Sequence, residues 1–301
     1  MRSQIEVVEV GPRDGLQNQD AILPPAARIA FVERLIGAGA RRIEIASFVN
    51  AARVPQMANS EEVVAGVRPR PGLVRIGLVL NRRGLDRALA TDVEEIGMVA
   101  VASDSFGQRN QKQTVNESVR VAGEVIRAAK SAGRRVQVTI AVAFGCPFEG
   151  KVPEARVLAM ASALAAEGPL EIALADTVGV GVPAQVRSLC QALKRELGTM
   201  PLRFHFHNTR NTGLANAFVA ADEGADTLDA SVGGIGGCPF APAATGNIAT
   251  EDLVYMLEGS GIRTGYDLGA LVNLAPWLAE ALNLPVLPAM VSRATPFPPA
   301  A

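Results

Sequence analysis

Short runs of β-branched and aliphatic residues recur along the chain at Ile5–Val10, Arg42–Phe48, Val74–Leu80, Ile96–Ala102, Val136–Phe144, Glu171–Asp176, Leu202–His207 and Thr227–Val232. Runs of this length and composition predict strands. Between most of them, apolar residues fall at helical spacing. Ala26–Gly37 follows Pro24-Pro25 and places Ile29, Val32, Leu35 and Ile36 on one face; Asn116–Ala132 carries Val119, Ala122, Val125 and Ile126 and stops at Gly133. Pro153–Glu167, Pro183–Leu197, Thr212–Glu223 and Thr250–Leu257 each end close to a glycine, the usual way to stop a helix. Eight β-then-α units within about 250 residues predict an α/β protein, a (β/α)8 TIM barrel. Strands that are apolar almost throughout predict burial on both faces. A doubly wound sheet is the rival arrangement, but it usually has fewer strands. No stretch reads as a linker, so residues 1–301 are expected to form one barrel domain, the barrel itself covering about 5–265. Leu268–Leu282 predicts a C-terminal helical extension, and the Pro-rich remainder of 266–301 is expected to end disordered or draped.

Composition narrows the function. Lys and Arg number 29 against 30 Asp and Glu, so the net charge is −1 and no basic surplus marks a nucleic-acid partner. No apolar run approaches the roughly 18–20 residues of a membrane span, and the N-terminus has no secretory h-region. Three scattered cysteines make no disulfide framework, which points to a reducing cytoplasm. The chain has only two histidines, and they lie two residues apart.

In such a barrel, chemistry gathers at the C-terminal ends of the strands. Polar residues that break the apolar pattern there are the candidates. The first strand runs into Gly11-Pro12-Arg13-Asp14-Gly15; Glu44 interrupts Ile43 and Ile45; the sixth strand ends in Asp176-Thr177 and the seventh in His205-Phe206-His207-Asn208. The eighth leads into Gly233-Gly234-Ile235-Gly236-Gly237-Cys238-Pro239, followed by Asn247. A spacing of two on a strand points His205 and His207 to the same face, where two imidazoles can chelate one divalent cation and Phe206 turns outward. Two core-satisfied rings are the plainer alternative. Asp14 would add a carboxylate ligand beside Arg13, a cation able to offset negative charge on a substrate oxygen. An exposed turn ion pair is the plainer reading of Arg13-Asp14. A buried carboxylate at Glu44 needs a partner, and Arg13 is the natural one. Nitrogen and carboxylate donors suit Zn, Mn, Mg or Co, and no thiolate set selects zinc. Cys238, between flexible glycines, suggests a thiol delivered by a mobile lid. Cys146 has a similar setting in Gly145-Cys146-Pro147-Phe148, and sequence does not rank the two; Cys190 reads as helix packing. Gly233–Gly237 lacks the spacing of a dinucleotide fingerprint, although barrels often bind phosphate after the eighth strand.

Val8-Glu9-Val10-Gly11-Pro12-Arg13-Asp14-Gly15-Leu16-Gln17-Asn18 resembles the opening signature of 3-hydroxy-3-methylglutaryl-CoA lyases, within the wider group of metal-dependent lyase and Claisen-condensing TIM barrels. Further matches are Ser47-Phe48-Val49, Val54-Pro55-Gln56-Met57, Gly145–Gly150, Asp176–Gly181, Gly233–Ala241 and Gly246–Val254, so the likeness covers roughly residues 5–265. The resemblance implies that Asp14, His205, His207 and Asn247 are divalent metal ligands, with Mg or Mn expected and Zn or Co as alternatives. It implies that Arg13 steadies an enolate, that Cys238 is the acid on the mobile loop, and that Glu44 and Asp176 are active-site carboxylates. The reaction implied is retro-Claisen cleavage of a 3-hydroxyacyl-CoA thioester, the name-giving substrate yielding acetyl-CoA and acetoacetate, by a homo-oligomer. The sequence departs from the pattern at Asn208-Thr209-Arg210-Asn211, where the family typically has Asp-Thr-Tyr-Gly after the second histidine. An amide there removes a charge beside a metal ligand, and Arg210 and Asn211 are expected to add polar groups at the pocket rim. Citramalyl-CoA is therefore the competing substrate. Claisen-condensing synthases usually carry extra C-terminal domains, for which 301 residues leave no room. A pyruvate-specific metal aldolase is a third class, and a non-enzymatic metal-binding barrel a fourth. Arg53 or Lys151 is expected to meet the CoA phosphates.

Overall fold

The structure is a computed structural model that describes residues 3–237 and 246–295. Eight strands are present: β1 (Glu6–Glu9), β2 (Arg42–Ser47), β3 (Val74–Val79), β4 (Glu95–Val101), β5 (Arg135–Ala141), β6 (Ile172–Asp176), β7 (Leu202–Phe206) and β8 (Thr227–Ala230). They are parallel and close into a barrel in sequence order, with Glu6 of β1 opposite Thr227 of β8 and Glu9 opposite Ala230. The (β/α)8 expectation holds. Around the barrel lie α1 (Pro25–Gly37), α2 (Ser60–Gly66), α3 (Arg82–Leu89), α4 (Asp104–Asn110), α5 (Val115–Ser131), α6 (Glu154–Ala165), α7 (Pro183–Leu197), α8 (Gly213–Asp222) and α9 (Thr250–Gly259). The C-terminal helix is α10 (Leu268–Ala281).

Apolar periodicity marks the long helices well and the short ones poorly. Helix α5 begins with a capping box: Thr114 Oγ1 accepts from the Glu117 amide and the Glu117 carboxylate accepts from the Thr114 amide. Helices α2 and α4 have seven residues each, too few turns for a pattern to repeat. Helix α3 carries three arginines and Gly84 in eight residues; its start is fixed by the Asn81 side chain, which accepts from the Gly84 amide at 3.0 Å.

The strands alternate in a way that a reading of uniformly apolar runs misses. In β2 Ile43 and Ile45 pack outward into the main hydrophobic core under the helices, while Glu44 faces the interior. In β7 Phe204 and Phe206 pack outward and stack on each other, while Arg203 and His205 face inward. In β8 Leu228 and Ala230 pack outward and Asp229 inward. The apolar cluster of Val8, Val10 and Ile76 is separate from the main core. The N-terminal ends of the strands are bridged by charge: Arg42, 3% exposed, donates to Glu6 at 2.9 Å, Glu95 at 2.5 Å and Glu171 at 2.6 Å. Buried charges persist only when paired in this way.

The tail beyond α10 drapes over the barrel as far as residue 295. Leu287 and Ala289 are buried, the Ala289 amide donates to Gly233 O at 3.1 Å, and Ser292 donates to Glu251 at 2.8 Å. No helix among the described residues is long and apolar enough to cross a membrane.

Candidate active site

The chain leaves β1 in a single tight turn, Gly11–Gly15, that presents Arg13 and Asp14 to the barrel mouth. Arg13 is fixed from two sides: Nε donates to Glu44 Oε2 at 2.7 Å and Nη1 to Asp14 Oδ1 at 2.7 Å. Glu44 therefore has the partner expected for it. Burial pushes its carboxyl up, and the Arg13 and Arg203 cations pull against that. Two strands before the barrel closes, β7 turns His205 inward, and His207 follows on the same side. Their ring centroids lie 5.1 Å apart. Asp14, His205 and His207 each offer one ligand atom, and these atoms all lie within 4.8 Å of one another.

The donor set fits a divalent cation. Burial alone would raise the Asp14 carboxyl, but Arg13, the two histidines and a hydrogen bond from Asn247 outweigh it and hold the group at about 2. Burial and the neighbouring His205 push His207 down to about 3, so its ring is neutral and keeps a lone pair. Two buried atoms here have no hydrogen-bond partner among the described residues, His207 Nδ1 and Asn247 Oδ1. Orphaned acceptors beside an ionised carboxylate are what a cation would satisfy. Asn247 reaches the cluster because its Nδ2 donates to Asp14 Oδ2 at 2.9 Å and to Ile235 O at 3.1 Å. This packing needs a glycine: a Cβ at Gly236, where φ is +127°, would fall 2.4 Å from Asn247 Nδ2.

The cluster lies in a cavity of about 1210 Å³ at the barrel mouth. Its wall includes Thr177, Gln137 and Thr139, and its rim includes Arg53, Arg83, Arg87 and Arg109. Lys151 is not among the lining residues.

A sequence profile described as HMGL-like matches residues 4–277. The chain belongs to the HMGL-like family. It is 44% identical over 98% of its length to the (R)-citramalyl-CoA lyase of Chloroflexus aurantiacus, covering 96% of that protein. It is 40% identical over 93% of its length to the mitochondrial hydroxymethylglutaryl-CoA lyase of Mus musculus, covering 86% of it. Among solved structures it is similar to the hydroxymethylglutaryl-CoA lyase of Pseudomonas aeruginosa, with a TM-score of 0.93, 39% identity and 97% coverage of both chains. It is likewise similar to an HMG-CoA lyase from Acinetobacter baumannii in complex with coenzyme A and 3-methylmalate, with a TM-score of 0.92, 37% identity and coverage of 97% and 95%.

Other residues singled out in this HMGL-like sequence take varied places. Asp176 sits at the end of β6 with both carboxylate oxygens engaged by backbone, accepting from the Val180 and Gly181 amides at 2.9 Å each. It shapes the loop after β6, whereas its neighbour Thr177 lines the cavity. Cys238 lies outside the described residues. Cys146 is buried, and its sulfur takes the Ser103 hydroxyl at 2.9 Å and the Phe148 amide at 3.3 Å, away from the cavity lining. The glycine-rich segment uses its first amides internally: Glu9 accepts from Val232 and Glu251 from Gly233, so these two are not free for a phosphate.

The expectation that Arg210 and Asn211 reach the pocket rim is corrected. Asn208 Oδ1 accepts from the Gly213 amide at 3.1 Å and its Nδ2 donates to Asn211 at 3.3 Å, a local brace at the start of α8. Arg210 donates to the Val178 and Gly179 carbonyls at 3.2 and 2.9 Å, joining two loops. None of the three lines the cavity. Sequence reasoning also missed Arg203 and Asp229, whose signal was present: each is a charge at an inward position of an otherwise apolar strand, as Glu44 is.

Proposed function

We propose that this protein catalyses divalent-metal-dependent retro-Claisen cleavage of a 3-hydroxyacyl-CoA, with 3-hydroxy-3-methylglutaryl-CoA as the substrate and acetyl-CoA and acetoacetate as products. The observation that carries the proposal is the convergence of Asp14, His205 and His207, with Asn247 against them and Arg13 alongside, inside one large cavity. Asp14, His205, His207 and Asn247 would hold a divalent cation, Mg or Mn, which would supply Lewis-acid polarisation of the substrate hydroxyl. Asp14, whose carboxylate has a second oxygen, accepts the hydroxyl proton. The carbon–carbon bond breaks, its electron pair passes to the thioester as an enolate, and the former hydroxyl oxygen becomes a ketone. The Arg13 guanidinium, held in place by Glu44, offsets the enolate charge. The Cys238 thiol returns a proton to the enolate carbon. The arginines at the cavity rim, Arg53 among them, suit the phosphates of CoA.

A second substrate, citramalyl-CoA, is favoured by the 44% identity to a protein named for it. One assay separates the two readings. With purified protein and Mg or Mn, acetoacetate formed from the first thioester at a kcat/KM at least tenfold above that for pyruvate from the second supports the first substrate. The reverse ratio assigns citramalyl-CoA instead.

A further inference from the structure

His205 and His207 are chemically unequal. His207 Nδ1 is buried without a partner among the described residues. His205 Nδ1 faces Asp229 Oδ2 at 3.1 Å, a contact set by the sheet, because His205 and Asp229 are register partners across β7 and β8. Asp229 is itself only 5% exposed, and its other oxygen accepts from Arg203 Nε. Arg203 leans in turn on Glu171 at 3.4 Å, and Glu171 on Arg42 at 2.6 Å. A line of alternating charge thus runs through the barrel from the bridged strand ends to one imidazole.

We propose that Asp229 is a positioning residue for the metal centre: it fixes the proton of His205 on Nδ1 and leaves Nε2 bare toward Asp14. An ionised carboxylate can only accept, so the Nδ1 contact requires a hydrogen on that nitrogen. The other nitrogen then points its lone pair at the cluster, where Nε2 lies 3.9 Å from Asp14 Oδ2. Arg203 keeps Asp229 charged and stationary, so the ring cannot rotate to offer Nδ1 instead. Carboxylates behind ligating histidines set tautomer and orientation in this way, and their loss commonly weakens metal binding about 10- to 100-fold.

The inference rests on the metal reading above, and its test separates the two. The chain has only two histidines, so 15N-histidine labelling gives a spectrum of two rings. In the Mg-loaded protein, two-dimensional long-range 1H–15N spectra are expected to show one ring with a proton on Nδ1 and none on Nε2. Loss of that pattern in Asp229→Asn assigns the ring to His205. The same variant is expected to bind Mn about 10- to 100-fold more weakly, with Asp229→Glu recovering part of the loss. A wild-type spectrum with the proton on Nε2 of both rings overturns the proposal, even if no variant folds. Unchanged Mn affinity in a folded Asp229→Asn also overturns it. Failure of the wild type to bind Mg or Mn at all refutes the metal reading instead.

Discussion

Replacing Glu9 by Gln tests how a buried carboxyl shapes the base of the glycine-rich segment. Glu9 is fully buried and accepts from the Gly11 amide at 2.7 Å, the Val232 amide at 3.1 Å and the Thr250 hydroxyl at 2.7 Å. Burial nevertheless dominates these bonds and pushes the group up to about 8. In the unfolded chain the same side chain ionises near its ordinary value of 4.5. Between these values the folded state holds a proton that the unfolded state has released, so stability falls as pH rises, by about 1.4 kcal/mol per pH unit for this group. The loss begins above the unfolded value and is complete once pH passes the folded one. At pH 7 it amounts to roughly 3 kcal/mol. The amide of Glu9→Gln has no proton to release, and its oxygen can still accept from both backbone amides. Urea unfolding of the two proteins from about pH 5 to about pH 8 is therefore expected to show the variant gaining on the wild type with each unit of pH. A stability difference that stays flat across that range, or tilts the other way, refutes the reasoning.

Three further substitutions probe separate parts of the account. Arg42→Met leaves Glu95 and Glu171 buried without their main cation, and is expected to cost about 3–5 kcal/mol in urea unfolding at neutral pH. Gly236→Ala forces a Cβ toward Asn247 and should weaken Mn binding in a calorimetric titration while the melting temperature shifts by only a few degrees. Arg13→Gln should lower turnover about 100- to 1000-fold with bound metal, measured by atomic spectroscopy, unchanged; parallel loss of metal would show that Arg13 organises the ligands rather than the charge of the reaction.

Much of the architecture is legible in the sequence because parallel barrel strands are short, apolar and evenly interrupted. Helix α5, with its cap and its glycine stop, is found within a residue of its observed ends. Helices α2 and α4 escape because two turns carry no periodicity, and α3 because half of its residues are charged. The site is legible where a strand end carries an unusual residue, as at Arg13, Asp14 and His205-x-His207. It is less legible where a polar residue serves backbone. Asn208 stands beside a candidate ligand in sequence and Asp176 ends a strand, yet their oxygens accept from main-chain amides, and spacing alone does not show those contacts. Asp229 is marked in the sequence as an inward charge within a strand, but only the pairing of β7 with β8 brings it to His205.

The central claim is that the Asp14–His205–His207–Asn247 cluster binds a divalent cation required for carbon–carbon cleavage of the acyl-CoA substrate. The most direct measurement follows acetyl-CoA release from 3-hydroxy-3-methylglutaryl-CoA and citramalyl-CoA by purified protein before chelation, after it, and after return of Mg or Mn. The account predicts cleavage of at least one thioester, its loss on chelation and its recovery with metal. Absence of cleavage with either thioester under every metal condition, or cleavage indifferent to chelation, would contradict it.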